Sequence, residues 1–118
     1  MIKIAHSTVN PYDRILFKFH QGHEGFVLGS EGTGTVIKLG EGVDASLLNK
    51  KVSFLGNSYQ KFTVTHATGL IVYDTDVDLK TTANAFVNPV TALGQFHLTK
   101  QSGSGNAICL AGGSQLAT

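Results

Sequence analysis

From residue 2 to residue 73 the chain runs in short β-prone stretches, each closed by glycine or by a turn dipeptide, and this punctuation is what most restricts its fold. Residues 2–9 end at Asn10-Pro11, a turn-favouring pair. Residues 33–39 (TGTVIKL) are closed by Gly40-Glu41-Gly42, and residues 51–55, 59–65 and 70–73 follow. Several short strands at this spacing suit a small barrel or sandwich. The 14 glycines among 118 residues fit that layout, because tight turns and bulges need positive φ.

Composition narrows the partners. Hydrophobic residues make up 42% of the chain and charged residues 14%, enough apolar material for one ordinary core. Nine basic against eight acidic residues leave a net charge of +1, too little to neutralise phosphates, so nucleic acid is not an expected partner. A membrane is not expected either, since no apolar stretch approaches the roughly 20 residues of a spanning helix. The single cysteine, Cys109, excludes an internal disulfide and favours a reducing compartment. No signal peptide opens the chain, so a cytoplasmic location is expected. Strand character begins at Ile2 without a preceding loop, which leads us to expect further chain upstream and leaves a mitochondrial location open.

The period changes at Asp78. Asp78 can cap a helix with Leu79, Ala83, Phe86 and Val87 on one face. Asn88 at an N-cap and Pro89 at the first helical position then start a second helix, with Val90, Leu93 and His97 inward. Residues 101–106 (QSGSGN) are a flexible break, and residues 107–110 are a continuous apolar run such as a buried parallel strand gives. Ala111-Gly112-Gly113-Ser114 follows. An apolar strand entering a small-residue turn is how a dinucleotide-binding βαβ unit opens, and here the unit is only begun.

Residues 26–43, FVLGSEGTGTVIKLGEGV, resemble the glycine-rich core of medium-chain dehydrogenases and reductases, above all their zinc-independent, quinone-oxidoreductase-like branch. Val9-Asn10-Pro11-Tyr12-Asp13 precedes this core, and Lys51-Val52 stands where the family writes Gly-Asp-Arg-Val. Asn88-Pro89-Val90-Thr91-Ala92 stands where it writes a small-residue helix start containing Thr-Ala. The resemblance implies a mainly β fold: a GroES-like, partly open β-barrel, then two helices, then the first strand and turn of an incomplete Rossmann α/β domain. Residues 1–87 would be the GroES-like catalytic domain without its first strands, and residues 88–118 the linking helix and truncated start of the cofactor domain. It further implies NADPH, or alternatively NADH, in the cleft between the domains, and a homodimer for the full-length protein.

The candidate sites divide into structural and chemical ones. Gly22-His23-Glu24 looks like the family's Gly-His-Glu zinc element, but its downstream spacing is wrong. Gly29-Ser30-Glu31-Gly32-Thr33-Gly34 has the right continuation, with serine where the ligand histidine would be. A zinc site needs three or four N, S or O ligands, and neither Asp13's neighbours nor any other segment supplies ligand cysteines. His20 and His23 therefore read as solvated loop residues, and no metal is expected. Gly29, Gly32, Gly34, Gly40 and Gly42 enter a strand without a Gly-Lys-Ser/Thr, so they read as turns and close packing rather than a phosphate loop. Cys109, inside an apolar run, reads as an inert small hydrophobe.

Asn10 has an ordinary turn reading, since its side chain can bond nearby backbone. The resemblance adds that this Asn-Pro-x-Asp element lines the cleft beside the nicotinamide. Thr91 falls in the first helical turn, where free N–H groups and the helix dipole favour anions, so its hydroxyl can meet a cofactor phosphate, ribose or amide. Its plainer reading is a helix threonine facing solvent or the preceding turn; in similar proteins it faces the cofactor. Gly112, Gly113 and Ser114 begin the pyrophosphate turn, where Ser114 departs from the glycine pattern and can either crowd the pyrophosphate or donate to it.

Together these imply zinc-free hydride transfer from NADPH to a small quinone or α,β-unsaturated carbonyl, with protein groups supplying orientation and exclusion of water. No catalytic residue or proton donor stands out, and the 118-residue chain alone is expected to be inactive. A trans-2-enoyl thioester reductase is the rival enzyme, favoured by Asn88-Pro89-Val90-Thr91-Ala92 and disfavoured by the absence of tyrosine from residues 17–25. A non-catalytic binding or structural relative is the third possibility, because fold alone does not dictate function.

Overall fold

The structure, a computed structural model, describes residues 1–21, 24–103 and 108. The chain divides into two compact units, Met1–Phe86 and Val87–Thr118. Of the expected strand at 107–110 only Ile108 is described, exposed and not in a strand; Cys109, the turn at Gly112, Gly113 and Ser114, and Gly22-His23 lie outside the described residues.

The first unit is built on an antiparallel sheet of five strands: β1 (Ile2–Ser7), β2 (Glu31–Val36), β3 (Lys51–Leu55), β4 (Phe62–Thr63) and β5 (Ile71–Tyr73), in the spatial order β4-β1-β2-β3-β5. Register places Ile2 opposite Val36, Ile4 opposite Gly34, and Gly34 opposite Val52, so alternate residues of the three middle strands share one face. That face carries the core of Ile2, Val36, Val52 and Phe54, with Ile4, Leu39 and Leu70 packed against it. At Gly34 the neighbouring strand comes very close: a Cβ there would sit 2.2 Å from the Lys3 carbonyl oxygen. A register shift between Ile4 and His6 leaves Ala5 as the extra residue of a bulge in β1.

The opposite face is polar and nonetheless buried. Thr33 and Ser53 pair across β2 and β3 and are 0% and 1% exposed. The Thr33 hydroxyl donates to the Val52 carbonyl at 2.9 Å, and the Ser53 hydroxyl donates to the Thr82 carbonyl at 2.8 Å. Thr82 closes α2 (Leu79–Thr82), a single turn whose N-cap Asp78 accepts from the Lys80 N–H at 2.9 Å. Lys50 pairs with Asp74 at 3.0 Å and Lys51 with Asp76, tying β3 to the segment that leads from β5 into α2.

Two expectations about fold class need correction. The architecture is mixed α/β rather than mainly β: the described residues form three α-helices beside the sheet. Residues 11–19, read as the sequel to a turn, form α1 (Pro11–Phe19), because Asn10-Pro11 acts as N-cap and first helical residue. In the strands, β3 keeps the expected bounds, whereas the run at 59–65 pairs only over Phe62–Thr63.

The second unit contains α3 (Val87–Gln101), which begins one residue ahead of the expected cap and holds Pro89 in its first turn, where a missing N–H costs nothing. Val90, Leu93 and His97, expected to face inward, are exposed, and no residue of α3 is buried. An apolar helix stripe is buried only where another surface meets it. Likewise the first helix is shorter than its apolar pattern suggested: it ends at Thr82, and Ala83 is the buried member of the set. No described helix is long and apolar enough to cross a membrane.

Candidate functional site

The site begins where β1 gives way to α1. Asn10 has extended backbone (φ −97°, ψ 153°), and its N–H donates to Asp13 Oδ2 at 2.8 Å, one half of a capping box that places a carboxylate in the first turn. Asp13 is 5% exposed, and its other oxygen, Oδ1, is buried with no hydrogen-bond partner.

The Asn10 side chain gathers the rest. Its amide Nδ2 lies 2.9 Å from Thr8 Oγ1, 3.0 Å from Ser30 Oγ and 3.1 Å from Glu31 Oε1. An amide has two hydrogens, and the geometry suits one to each hydroxyl. Each hydroxyl then donates onward to a buried carboxylate: Thr8 to Glu31 Oε1 at 3.2 Å, and Ser30 to Asp13 Oδ2 at 3.2 Å. Glu31 is 1% exposed at the start of β2, and its Oε2 accepts the Phe86 N–H at 3.0 Å. One neutral amide thus feeds two short relays, each ending on an acid.

Tyr59 covers this cluster. The segment 56–59 runs along 28–30 through backbone bonds from Gly56 to Ser30, Ser58 to Gly29, and Tyr59 to Leu28. Gly29 has φ +102°, and a Cβ there would lie 2.1 Å from Ser58 Oγ and 2.7 Å from Tyr59 Cδ1, so only glycine lets the aromatic ring settle beside Ser30. The Tyr59 hydroxyl donates to the Thr8 carbonyl at 3.0 Å. Burial first, and the negative charge of Asp13 second, push its phenol above the ordinary tyrosine range.

Asn10 is therefore the sequence-derived site residue that the structure surrounds with other polar groups. Thr91 lies in the second unit, exposed, with its hydroxyl donating to the Val87 carbonyl one turn back at 2.6 Å. Its lone pairs remain able to accept. Ser30, noticed only as a substitute for a ligand, is a relay between Asn10 and Asp13. His20 is not a solvated loop residue: it caps the end of α1, stacks on Phe26 at 3.6 Å between ring centres, and sets Nδ1 3.0 Å from the Leu16 carbonyl oxygen. Among the described residues no three His, Cys, Asp or Glu side chains come together as a metal-binding group.

Sequence reasoning missed Thr8, Glu31 and Tyr59, and saw Asp13 only as part of the Asn-Pro-x-Asp element. The Asn10-x-x-Asp13 spacing could have shown the capping box, and an acid set among the glycines of Gly29–Gly34 could have marked Glu31. Thr8 lies only two residues before Asn10, whereas nothing local marks Tyr59, whose proximity is made by the sheet.

No family model and no curated protein matches the chain. Solved structures do. A "putative NADPH:quinone reductase" from Mesorhizobium loti superposes with a TM-score of 0.84 at 32% sequence identity over 98% of this chain. A second protein so described, from Bacillus thuringiensis, gives a TM-score of 0.78 at 25% identity, again over 98% of the chain. The chain spans 36% and 37% of these two proteins, and is similar to that segment of each.

Proposed function

We propose that this chain is the substrate-side segment of an NADPH-dependent oxidoreductase that reduces a quinone or an α,β-unsaturated carbonyl without zinc. The observation that carries it is the likeness, at 32% identity over 98% of the chain, to a protein described as an NADPH:quinone reductase. In this reading the sheet of the first unit belongs to a GroES-like substrate domain, and the chain's last residues open a Rossmann domain. The bound nicotinamide would supply hydride.

The chemistry of the cluster agrees. Neutral donors (the Asn10 amide, the Ser30 and Thr8 hydroxyls, the Tyr59 phenol) stand before two buried carboxylates. Such a site disfavours anionic substrates. The same carboxylates favour the positive charge that a nicotinamide ring acquires on losing hydride, which fits this cofactor. Thr91, exposed with free lone pairs, fits as an acceptor toward a cofactor N–H or O–H. Ser30 holds the position where a zinc enzyme of similar sequence would place a ligand histidine, and its hydroxyl is engaged by Asn10 and Asp13.

The test is NADPH oxidation by the full-length protein, followed with 1,4-benzoquinone, a cyclic enone and an enoyl thioester, with and without a zinc chelator. Turnover of the first two that survives chelation is the expected result. Turnover restricted to the thioester, or lost on chelation, would replace this reading.

A further inference from the structure

At the far end of α1 the first unit holds a pocket of about 330 Å³, lined by Phe17, His20, Gln21, Phe26 and Leu28. No carboxylate, lysine or arginine lines it, and its volume is near the lower end of the roughly 300–1,000 Å³ of small-molecule sites. One wall is fixed before any ligand arrives. The His20 ring stacks on Phe26, 3.6 Å between centres and 19° between planes, and its Nδ1–H donates to the Leu16 carbonyl at 3.0 Å. Phe17 and Phe26 nevertheless stay 53% and 41% exposed, and neither belongs to the core of the sheet. Aromatic faces held open in this way suit a planar ring, since ring pairs gain more than area burial alone supplies. The pocket also adjoins the cluster around Asn10. Leu28 lines it, and the Leu28 carbonyl accepts the N–H of Tyr59, the residue that covers the cluster, at 3.0 Å. Phe17 lies roughly 10 Å beyond Asn10 along α1, at about 1.5 Å of rise per residue. A ligand that reaches from one to the other is therefore elongated.

We propose that this pocket takes the aryl end of an elongated substrate whose reacting end lies toward Asn10, so that aryl-substituted enones are selected over short aliphatic ones. The assignment rests on the reductase reading above. An enone such as 4-phenylbut-3-en-2-one has the required shape, because conjugation holds its ring, its C=C bond and its carbonyl in one extended plane. The ring enters between Phe17 and the His20–Phe26 stack, and Leu28 meets its edge. Pent-3-en-2-one, with methyl in place of phenyl, is too short to touch Phe26 while its carbonyl stays beside Asn10. Specificity then comes from the ring, and the reacting group is the same in both.

Two measurements test the assignment. The first needs neither cofactor nor turnover: the imidazole signals of His20 are followed by NMR while the 118-residue chain is titrated with benzyl alcohol or with cyclohexylmethanol, its saturated counterpart. Benzyl alcohol should shift them by its ring current and reach half-saturation at the lower concentration. Phe26→Leu, which keeps an apolar side chain without a ring, should bring the two midpoints together. The second measurement is kcat/KM of the full-length protein for the two enones. The phenyl enone should be preferred, and Phe26→Ala should lower that preference roughly tenfold, equivalent to about 1.4 kcal/mol. Thermal melts accompany both, and Phe17→Leu repeats the test from α1 should a Phe26 variant melt early. Equal midpoints for the two alcohols in wild type, or a preference untouched by these variants, overturn the assignment and leave the reductase reading intact. A chain that selects benzyl alcohol but oxidises NADPH with neither enone, nor with 1,4-benzoquinone, overturns the reductase reading, and the substrate role of the pocket falls with it.

Discussion

Thr91 shows how far one side chain can be interpreted. Its hydroxyl hydrogen is bound to the Val87 carbonyl of the preceding turn, so toward any cofactor it can act only as an acceptor. Thr91→Val keeps the shape and removes that acceptor. A lost hydrogen bond is worth about 0.5–1.5 kcal/mol. NADPH affinity of the full-length protein should therefore fall roughly three- to tenfold. The melting temperature should hardly move, because Thr91 is exposed and packs against little. Titration of NADPH into both proteins, with thermal melts beside it, decides; equal affinities with a destabilised variant would make Thr91 a helix residue only. Tyr59 yields a prediction in pH. Its folded phenol lies above the ordinary value, by burial and by the Asp13 charge, so the stability it contributes is complete below the unfolded tyrosine range near pH 10. That contribution is lost as pH rises through the folded value. Urea midpoints of wild type and Tyr59→Phe should thus differ by a constant amount from pH 7 to 9 and converge above about 10.

At the scale of elements, strand pairing is where glycine matters most. The middle strands approach so closely at Gly34 that a Cβ would meet the Lys3 carbonyl oxygen at 2.2 Å and Ile2 Cγ2 at 2.9 Å. Both obstacles belong to β1, one of them backbone, so Gly34→Ala must part β1 from β2 and should cost about 1–3 kcal/mol. Gly40, in the loop after β2, has nothing nearer than Val43 Cγ2 at 3.9 Å, and Gly40→Ala should stay within about 0.5 kcal/mol of wild type. Denaturant midpoints of the two variants check the contrast. The same elements show what the sequence made legible. The span Lys51–Leu55 could be read because its apolar run is short and bounded, and the glycine cluster could be read as packing because it leads into a strand. α1 could not: Asn10-Pro11 opens a helix and Asn88-Pro89 lies in the first turn of another, yet the first pair also fits a turn, and the apolar positions Tyr12, Ile15 and Phe19 that would have argued for helix are exposed. The site was legible at Asn10 alone. Thr8, Ser30, Glu31 and Tyr59 join it across 2 to 51 residues of chain, through antiparallel register and a left-handed Gly29, and neither is written in a local pattern.

For the whole molecule, the question is where its stability resides. Every buried apolar side chain among the described residues (Ile2, Val36, Val52, Phe54 and Ala83) belongs to Met1–Phe86, and so do the buried polar ones. The sheet closes its pairings within that unit, and Glu31 holds the last N–H of it, that of Phe86. α3 contributes no buried residue. Since burial of apolar surface is the main favourable term in folding, and the first unit holds its own sheet and buried core, that unit should fold by itself. Residues 1–86 expressed alone should therefore unfold in one cooperative urea transition. A truncated chain that is unfolded would mean that residues 87–118 supply core the first unit lacks.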